Sequence, residues 1–307
     1  MTTVTDWRIA EPNVDTVLAN CSHPLESLAQ GEIPAIVLRG TYPQKECERL
    51  IEHLIAEGHL YDPSKPVPHQ FLERNVPEGH YQKERKEPAE KTWRDDGSSP
   101  KRRIDIGTSL GNLGFDKERF LEHAEETHRL FARLFDRFEN PVELLYRSLE
   151  RLAKGKSVRT AEEPGGRKYG PAIIRAHYGG YTYKPHFDSV RLREDRKSYS
   201  VFHFEHQFAG VLVLQNSERD GVSAQCRLHR CLWQPEIEPH LTTDTFHQYA
   251  AENAITNVDV NLAPGDLYFF NTRSIHEVPG VAGVLPRIVL ATFIGYSSDR
   301  PELFVWS

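Results

Sequence analysis

Residues 178–190 read YGGYTYKPHFDSV, and this stretch decides the fold because it joins a strand-like run to two candidate ligands. Aromatic and β-branched residues after a pair of glycines are typical of a β-strand that follows a turn. Side chains two residues apart on a strand point to the same face, so His186 and Asp188 are expected on one face and Phe187 on the other. The H-x-D pattern alone leaves two interpretations open: half of a metal site, or two polar residues on a solvated strand.

The sequence after Pro171 consists of short runs of β-branched and aromatic residues, separated by turn residues. Many short strands at this spacing are typical of a β-sandwich or barrel. The predicted strands are AIIRAHY (172–178), TYKPHFDS (182–189), FAGVLVLQ (208–215), CRLHRCLW (226–233), VDVNL (258–262), DLYFFN (266–271), RIVLATFIGY (287–296) and ELFVW (302–306).

The first half of the chain has helical periodicity instead. Apolar residues recur at helical spacing in three segments, and one further segment, AIVLR (35–39), is typical of a strand. In the first helical segment, Thr41 is a candidate N-cap and Gly58 a terminator. The predicted helices cover 41–58, 116–138 and 142–152.

Early helices beside a late all-β region predict the α+β class. We expect a single domain over 1–307, with a helical or irregular part at 1–168 that flanks a β core at 169–307. Residues 62–103 are dense in proline and charge. Such a long segment is either a solvated surface loop or a lid that folds over a substrate.

The composition excludes several classes of partner. The chain has 307 residues and a net charge of −6 at pH 7, so no basic surface dominates and we expect no nucleic-acid partner. The first residues lack a signal-peptide pattern, and no apolar run reaches the roughly 18 residues of a membrane span, so no membrane partner is expected. Four scattered cysteines without a C-x-x-C pair favour the reducing cytoplasm. An oligomeric state is not predicted.

A third ligand for a metal site has to come from another strand, and His276 is the best candidate. It follows the strongly apolar run LYFFN and is expected just past the end of that strand. Two histidines and one carboxylate form the facial triad of non-haem Fe(II) oxygenases. Arg287 lies at the head of the apolar run RIVLATF, where a guanidinium can bind a carboxylate with two hydrogen bonds.

These residues resemble the motif of the Fe(II)- and 2-oxoglutarate-dependent dioxygenases. The stretch YGGYTYKPHFD is similar to the Y-x-x-G-x-x-Y-x-x-H-x-D run of the prolyl-hydroxylase-like branch, although its glycine spacing differs. The resemblance covers roughly residues 170–300 and implies a double-stranded β-helix, a cupin-like jelly roll with the metal at one open end. It implies that His186, Asp188 and His276 hold Fe(II).

The same resemblance implies a co-substrate and a reaction. Arg287 would pair with the distal carboxylate of 2-oxoglutarate, and Tyr178 would be either a second contact of that molecule or a core tyrosine. With O2, the co-substrate is decarboxylated to succinate and CO2 while an aliphatic C–H of the substrate is hydroxylated. A small metabolite, amino-acid-like or natural-product-like, is the expected substrate.

A finer resemblance is to the carrier-independent aliphatic halogenases. Those enzymes have Gly or Ala where Asp188 stands, which opens a coordination position for chloride. The carboxylate here favours hydroxylation. Three alternatives stay open: an oxygenase of a carrier-bound or protein substrate, a non-redox metal-binding cupin that has no need of Arg287, and purely structural roles for all four residues.

Neighbouring polar residues are open to more than one interpretation. Arg191, Arg193 and Arg196 follow the H-x-D motif and either belong to a solvated loop, which we favour, or meet an anionic substrate. Asn271 and Thr272 border His276 and are candidates for orienting it.

Overall fold

The computed structural model describes residues 7–74 and 98–307. Its helices are Val14–Asn20 (α1), Pro24–Ala29 (α2), Gln44–Ala56 (α3), Leu110–Leu113 (α4), Lys117–Leu134 (α5), Pro141–Leu152 (α6), Glu238–Thr242 (α7) and Phe246–Glu252 (α8). Short 3-10 turns cover His69–Phe71, Ser200–His203 and Pro235–Ile237.

The strands carry most of the second half of the chain. They are Ala35–Leu38 (β1), Leu72–Arg74 (β2), Ser98–Pro100 (β3), Arg103–Ile106 (β4), Ser157–Thr160 (β5), Ile173–His177 (β6), Tyr183–His186 (β7), His206–Gln215 (β8), Glu218–Arg219 (β9), Val222–Ser223 (β10), Cys226–Leu232 (β11), Asn257–Val260 (β12), Leu267–Asn271 (β13), Ser274–Val278 (β14), Arg287–Tyr296 (β15) and Glu302–Trp306 (β16).

Two larger sheets face each other and form the jelly roll. The major sheet has the order β1-β13-β8-β15-β16-β5, and β6 also pairs with β15 and carries β4 on its other side. The minor sheet has the order β12-β11-β14-β7. An apolar cluster that includes Val211, Leu228 and Phe270 lies between the two sheets. The predicted α+β class and jelly-roll core are therefore confirmed.

Helices α3 and α6 cover the other face of the major sheet. Leu50 and Leu54 of α3, together with Leu145 and Leu149 of α6, are fully buried in a large cluster with strand residues such as Leu212, and this apolar packing holds the major sheet in place. The helix ends follow from local chemistry. Asp116 caps α5 by accepting from the Arg119 amide, and Asn140 caps α6 by accepting from the Val142 amide.

Three details of the sequence prediction were wrong. Thr41 does not cap α3, because Pro43 is the extended residue before Gln44, and the Thr41 hydroxyl instead donates to the Leu38 carbonyl at 2.9 Å. The early part of the chain holds two strands of the major sheet that the sequence did not predict, β4 and β5, beside β1, which corresponds to the predicted strand at 35–39. His276 does not follow a strand but lies in the middle of one, β14.

The predicted lid at 62–103 lies largely outside the described residues. Its two described ends pair as the short strands β2 and β3, with Leu72 opposite Pro100. The lid therefore stays a prediction, as does the single domain. Within 7–74 and 98–307, no helix is both long and apolar enough to cross a membrane.

Candidate metal centre

Two adjacent strands of the minor sheet bring the candidate histidines together. His276 of β14 is the register partner of His186 of β7, and their ring centroids are 4.2 Å apart. β7 is the edge strand of this sheet, which is where a strand accommodates a proline such as Pro185. Asp188 lies just beyond the end of β7, with its Oδ2 3.7 Å from His186 Nε2 and 3.6 Å from His276 Nε2.

Backbone carbonyls fix the orientation of both imidazoles. His186 Nδ1 lies 2.6 Å from the Lys184 carbonyl, and His276 Nδ1 lies 2.8 Å from the Ser274 carbonyl. A carbonyl only accepts, so each Nδ1 carries the proton and each Nε2 keeps its lone pair. Both lone pairs are then directed toward Asp188, which is the tautomer that a metal site at the Nε2 atoms requires.

Asp188 is held by hydrogen bonds at its backbone N–H, its backbone carbonyl and its side chain. Its backbone N–H donates to the Thr272 carbonyl at 3.0 Å, and the Thr272 hydroxyl donates back to the Asp188 carbonyl at 2.8 Å. Arg193 donates to Asp188 Oδ1 at 3.2 Å and to the Phe187 carbonyl at 2.6 Å. On the opposite face, as expected, Phe187 stacks on Trp233 with centroids 4.4 Å apart. The carboxylate therefore presents Oδ2 to the histidines while Arg193 occupies Oδ1.

The electrostatics of the three side chains suit a cation. Burial, reinforced by the neighbouring His276, lowers the pKa of His186 to about 4, so its imidazole is neutral near pH 7. Burial opposes ionisation of Asp188, but the positive charge of Arg193, which donates a hydrogen bond to Oδ1, favours the ionised form, and the pKa of the carboxyl is held well below its ordinary value. A neutral imidazole and an ionised carboxylate are the protonation states that bind a divalent metal.

A cavity opens between the two sheets next to these residues, with about 680 Å³ of empty space that is partly open to solvent. Its wall is mostly apolar, with polar groups at a few places. The lining residues are Ile173, Arg175, His177, Tyr183, His186, Asp188, Ala209, Val211, Cys226, Tyr268, Phe270, His276, Val278, Arg287, Val289, Ala291, Thr292, Phe293 and Ser307. Apolar walls with a few convergent polar groups are typical of a small-molecule site.

Arg287 lines this cavity as an unpaired cation. It begins β15, is only 6% exposed, and its Nε has no hydrogen-bond partner. Among residues 7–74 and 98–307, no carboxylate forms an ion pair with Arg287, although the Tyr268 hydroxyl lies beside it. A buried guanidinium without a counterion is costly unless a ligand brings the anion. The arrangement therefore fits a bound carboxylate.

Tyr178 does not line the cavity, so the prediction that it contacts the co-substrate is not supported by its position. Its ring stacks on Tyr61 with centroids 4.0 Å apart in the core on the helix side of the major sheet. Its hydroxyl donates to the Tyr61 carbonyl at 3.0 Å and accepts from the Tyr61 amide at 3.3 Å. This is the core-tyrosine alternative, because both hydrogen-bonding capacities of the hydroxyl are used by the backbone.

Other polar residues differ from expectation too. Asn271 does not orient His276; its amide donates to the carbonyls of Leu28 and Ala29 and so ties α2 to the major sheet. Thr272 braces Asp188 rather than His276. We expected Arg193 in a solvated loop, but its side chain contacts the Asp188 carboxylate. The only indication in the sequence is that Arg193 follows Asp188 by five residues, on a turn.

Comparison with solved structures places the fold in a class. The N-substituted L-amino acid dioxygenase from Burkholderia ambifaria AMMD has 14% identity and a TM-score of 0.53, over 92% of this chain and 90% of that one. Its complex with alpha-KG gives 14% identity and a TM-score of 0.50, over 93% and 91%. These likenesses concern the fold. Comparison with curated protein sequences finds no match.

The fold and the triad geometry together define the class of non-haem iron oxygenases that use 2-oxoglutarate. Residues 13–307 match the sequence model of the family described as carrier-protein-independent halogenase WelO5, and the chain belongs to that family. The expected enzyme class, with Fe(II), 2-oxoglutarate and O2 as its cofactor and co-substrates, is thereby confirmed.

Proposed function

We propose that the protein hydroxylates an unactivated aliphatic C–H of a small metabolite, using O2 and 2-oxoglutarate and releasing succinate and CO2. One oxygen atom enters the substrate as the new hydroxyl, and the other enters succinate. The single observation that carries this proposal is the complete triad, in which the carboxylate of Asp188 stands within 3.7 Å of both histidine Nε2 atoms.

Asp188 is the residue that separates hydroxylation from halogenation. A halogenase of this type needs a position for chloride on the metal, and the resemblance implies that Gly or Ala opens that position. Here the position carries an ionised carboxylate that Arg193 and Thr272 hold in place. Chloride would have to displace an anion that is anchored at both its side chain and its backbone, so hydroxylation is the favoured outcome.

The chain's own residues divide the work of binding. His186, Asp188 and His276 are proposed to hold Fe(II), which supplies the oxidising chemistry when it is bound. Arg287 is proposed to pair with the distal carboxylate of 2-oxoglutarate, because it is a buried guanidinium with a free Nε. The apolar wall of the cavity excludes water from the reacting carbon and orients it.

The substrate is proposed to be small and to carry an anionic group. Arg175 lines the cavity, its Nε has no hydrogen-bond partner, and its nearest carboxylate, Asp105, is 3.9 Å away. Asp105 is already paired with Arg103 at 2.9 Å, so it neutralises Arg175 only in part. An amino-acid-like compound provides a carboxylate that can pair with Arg175, and the name of the Burkholderia dioxygenase points the same way.

Halogenation is the second candidate, because the family is named for it. A carrier-bound or protein substrate and a non-redox cupin are further alternatives. One experiment separates them. The Fe(II) enzyme is screened for succinate release with amino acids, N-substituted amino acids and alkaloid-like acids in chloride buffer, and products are identified by mass spectrometry. A substrate-dependent gain of 16 Da supports the proposal, whereas a chlorinated product would replace it with halogenation.

The screen needs a control that does not depend on knowing the substrate. Anaerobic addition of 2-oxoglutarate to the Fe(II) protein should give the visible metal-to-ligand charge-transfer band of this enzyme class. The variant His276→Ala should lose the band. A wild-type protein without the band would favour a non-redox cupin, whatever the screen returned.

A further inference from the structure

A second group of metal-ligand side chains lies on the back of the strand that carries His276. It consists of His229 on β11, Glu277 on β14 and His247 on α8, which we call the outer cluster. Side chains alternate along a strand, so Glu277 points away from the cavity that His276 faces. None of the three residues lines that cavity, and the oxygenase reaction does not use them.

The distances within the outer cluster match a metal site. His229 Nε2 lies 3.0 Å from Glu277 Oε1, and His247 Nε2 lies 3.3 Å from Glu277 Oε2. Three ligand atoms, one from each residue, all fall within 4.8 Å of one another. Two donors that are each about 2.1 Å from a tetrahedral zinc ion are about 3.4 Å apart, so one ion can reach all three after small rotations.

The charge balance of the outer cluster also calls for a cation. Glu277 is only 5% exposed, and a buried carboxylate is costly unless a cation pairs with it. The nearest guanidinium, Arg227, is 3.9 Å away and already forms two hydrogen bonds with Asp259, at 2.7 and 3.1 Å. The two imidazoles supply hydrogen bonds but no fixed charge, so Glu277 lacks a close cation among the described residues.

The third ligand is held in position by packing. Phe246 is fully buried and its ring meets the His229 ring edge-on with centroids 4.9 Å apart, which fixes the start of α8 over the outer face of the minor sheet. His247, the next residue, is exposed to solvent. A metal bound here would have three protein ligands and an open side that water can fill.

We propose that His229, His247 and Glu277 form a second divalent-metal site, separate from the iron centre and suited to Zn²⁺. Two imidazoles and one carboxylate are borderline ligands that suit Zn²⁺, Co²⁺, Ni²⁺ or Cu²⁺, whereas Ca²⁺ and Mg²⁺ prefer oxygen ligands throughout. The bound ion would clamp α8 to the back of the strand that presents His276.

The test counts zinc ions per chain in the full-length, tag-free, metal-free protein, by equilibrium dialysis against Zn²⁺ and elemental analysis. We expect two ions in the wild type, one in each centre. His247→Ala should bind one, and so should His186→Ala, which removes only the inner triad. His69→Ala, which changes an exposed histidine outside both clusters, should keep two.

A second readout protects the test against misfolding and weak surface binding. In the His186→Ala background, saturating Zn²⁺ should raise the melting temperature, and adding His247→Ala should remove that rise while leaving the metal-free melting temperature unchanged. Co²⁺ in the same background should give the visible absorption of a four- or five-coordinate ion, and Glu277→Gln should reduce it. No zinc ion in His186→Ala, or the same zinc count in His247→Ala as in the wild type, would overturn the proposal without touching the iron site.

Discussion

Arg287→Gln is the most informative perturbation of the candidate active site. Arg287 is buried in the cavity wall, its Nε is free, and no described carboxylate pairs with it, so its charge is available in full to a ligand. Truncating one partner of a buried, hydrogen-bonded charge pair costs about 2–5 kcal/mol. Glutamine keeps one neutral donor, so we expect the lower half of that range, near 2.7 kcal/mol or about 100-fold in affinity for 2-oxoglutarate.

The assay is an anaerobic titration of the Fe(II) protein with 2-oxoglutarate, followed by the charge-transfer band, which needs no substrate. Arg175→Gln, a change of another guanidinium in the same cavity, is the matched control and should leave the affinity nearly unchanged. The melting temperature of the variant is an independent readout. Removing a buried charge that lacks a partner should leave the melting temperature of the metal-free protein unchanged or higher.

Two results would refute this reasoning. An unchanged affinity in Arg287→Gln would mean that the distal carboxylate binds elsewhere. A large fall in melting temperature without co-substrate would mean that Arg287 serves the fold, in contradiction to its lack of an ion-pair partner.

The remaining predictions concern four other residues. Asp188→Gly should abolish hydroxylation and open a chloride position, and product mass spectrometry in chloride buffer checks both; full hydroxylase turnover would remove Asp188 from the ligand set. Arg193→Gln should shift the charge-transfer band, because Asp188 Oδ1 loses a charged donor at 3.2 Å, while an unshifted band would show that the contact is unimportant. Tyr178→Phe should lower stability by about 1–3 kcal/mol, since the Tyr61 backbone loses both partners, yet leave 2-oxoglutarate affinity unchanged. Arg175→Gln should raise the KM of an anionic substrate at least 10-fold and leave that of its methyl ester unaffected, as a comparison of succinate release rates would reveal.

The elements that the sequence predicts are those in which the pattern of apolar residues has the same period as the burial. The eight late strands are rich in β-branched or aromatic residues and each corresponds to a strand within a few residues. His186 and Asp188 were readable because a two-residue spacing fixes their common face. Arg287 was predictable because a charged side chain at the start of a buried apolar strand is costly unless it binds a partner.

The missed part depends on partners that are distant in the chain. The strand β14 reads SIHEV, in which His276 and Glu277 conceal the strand signal, and its pairing with β11 and β7 makes it a strand. The motif suggested that Tyr178 is a site residue, but Tyr178 directly follows β6 and its side chain contacts Tyr61. The contact between Arg193 and Asp188 depends on the shape of a turn, which neither periodicity nor propensity encodes.

The alternation along β14 has a consequence for how this protein can change during evolution. A slip of one residue moves every side chain of a strand to the other face. In β14 such a slip would point the Glu277 side chain into the cavity and the His276 side chain away from it. The register irregularities recorded on both sides of this strand bracket the segment that contains His276. Single-residue insertions or deletions between Thr272 and Ser274 that shift this register should therefore be absent from active relatives.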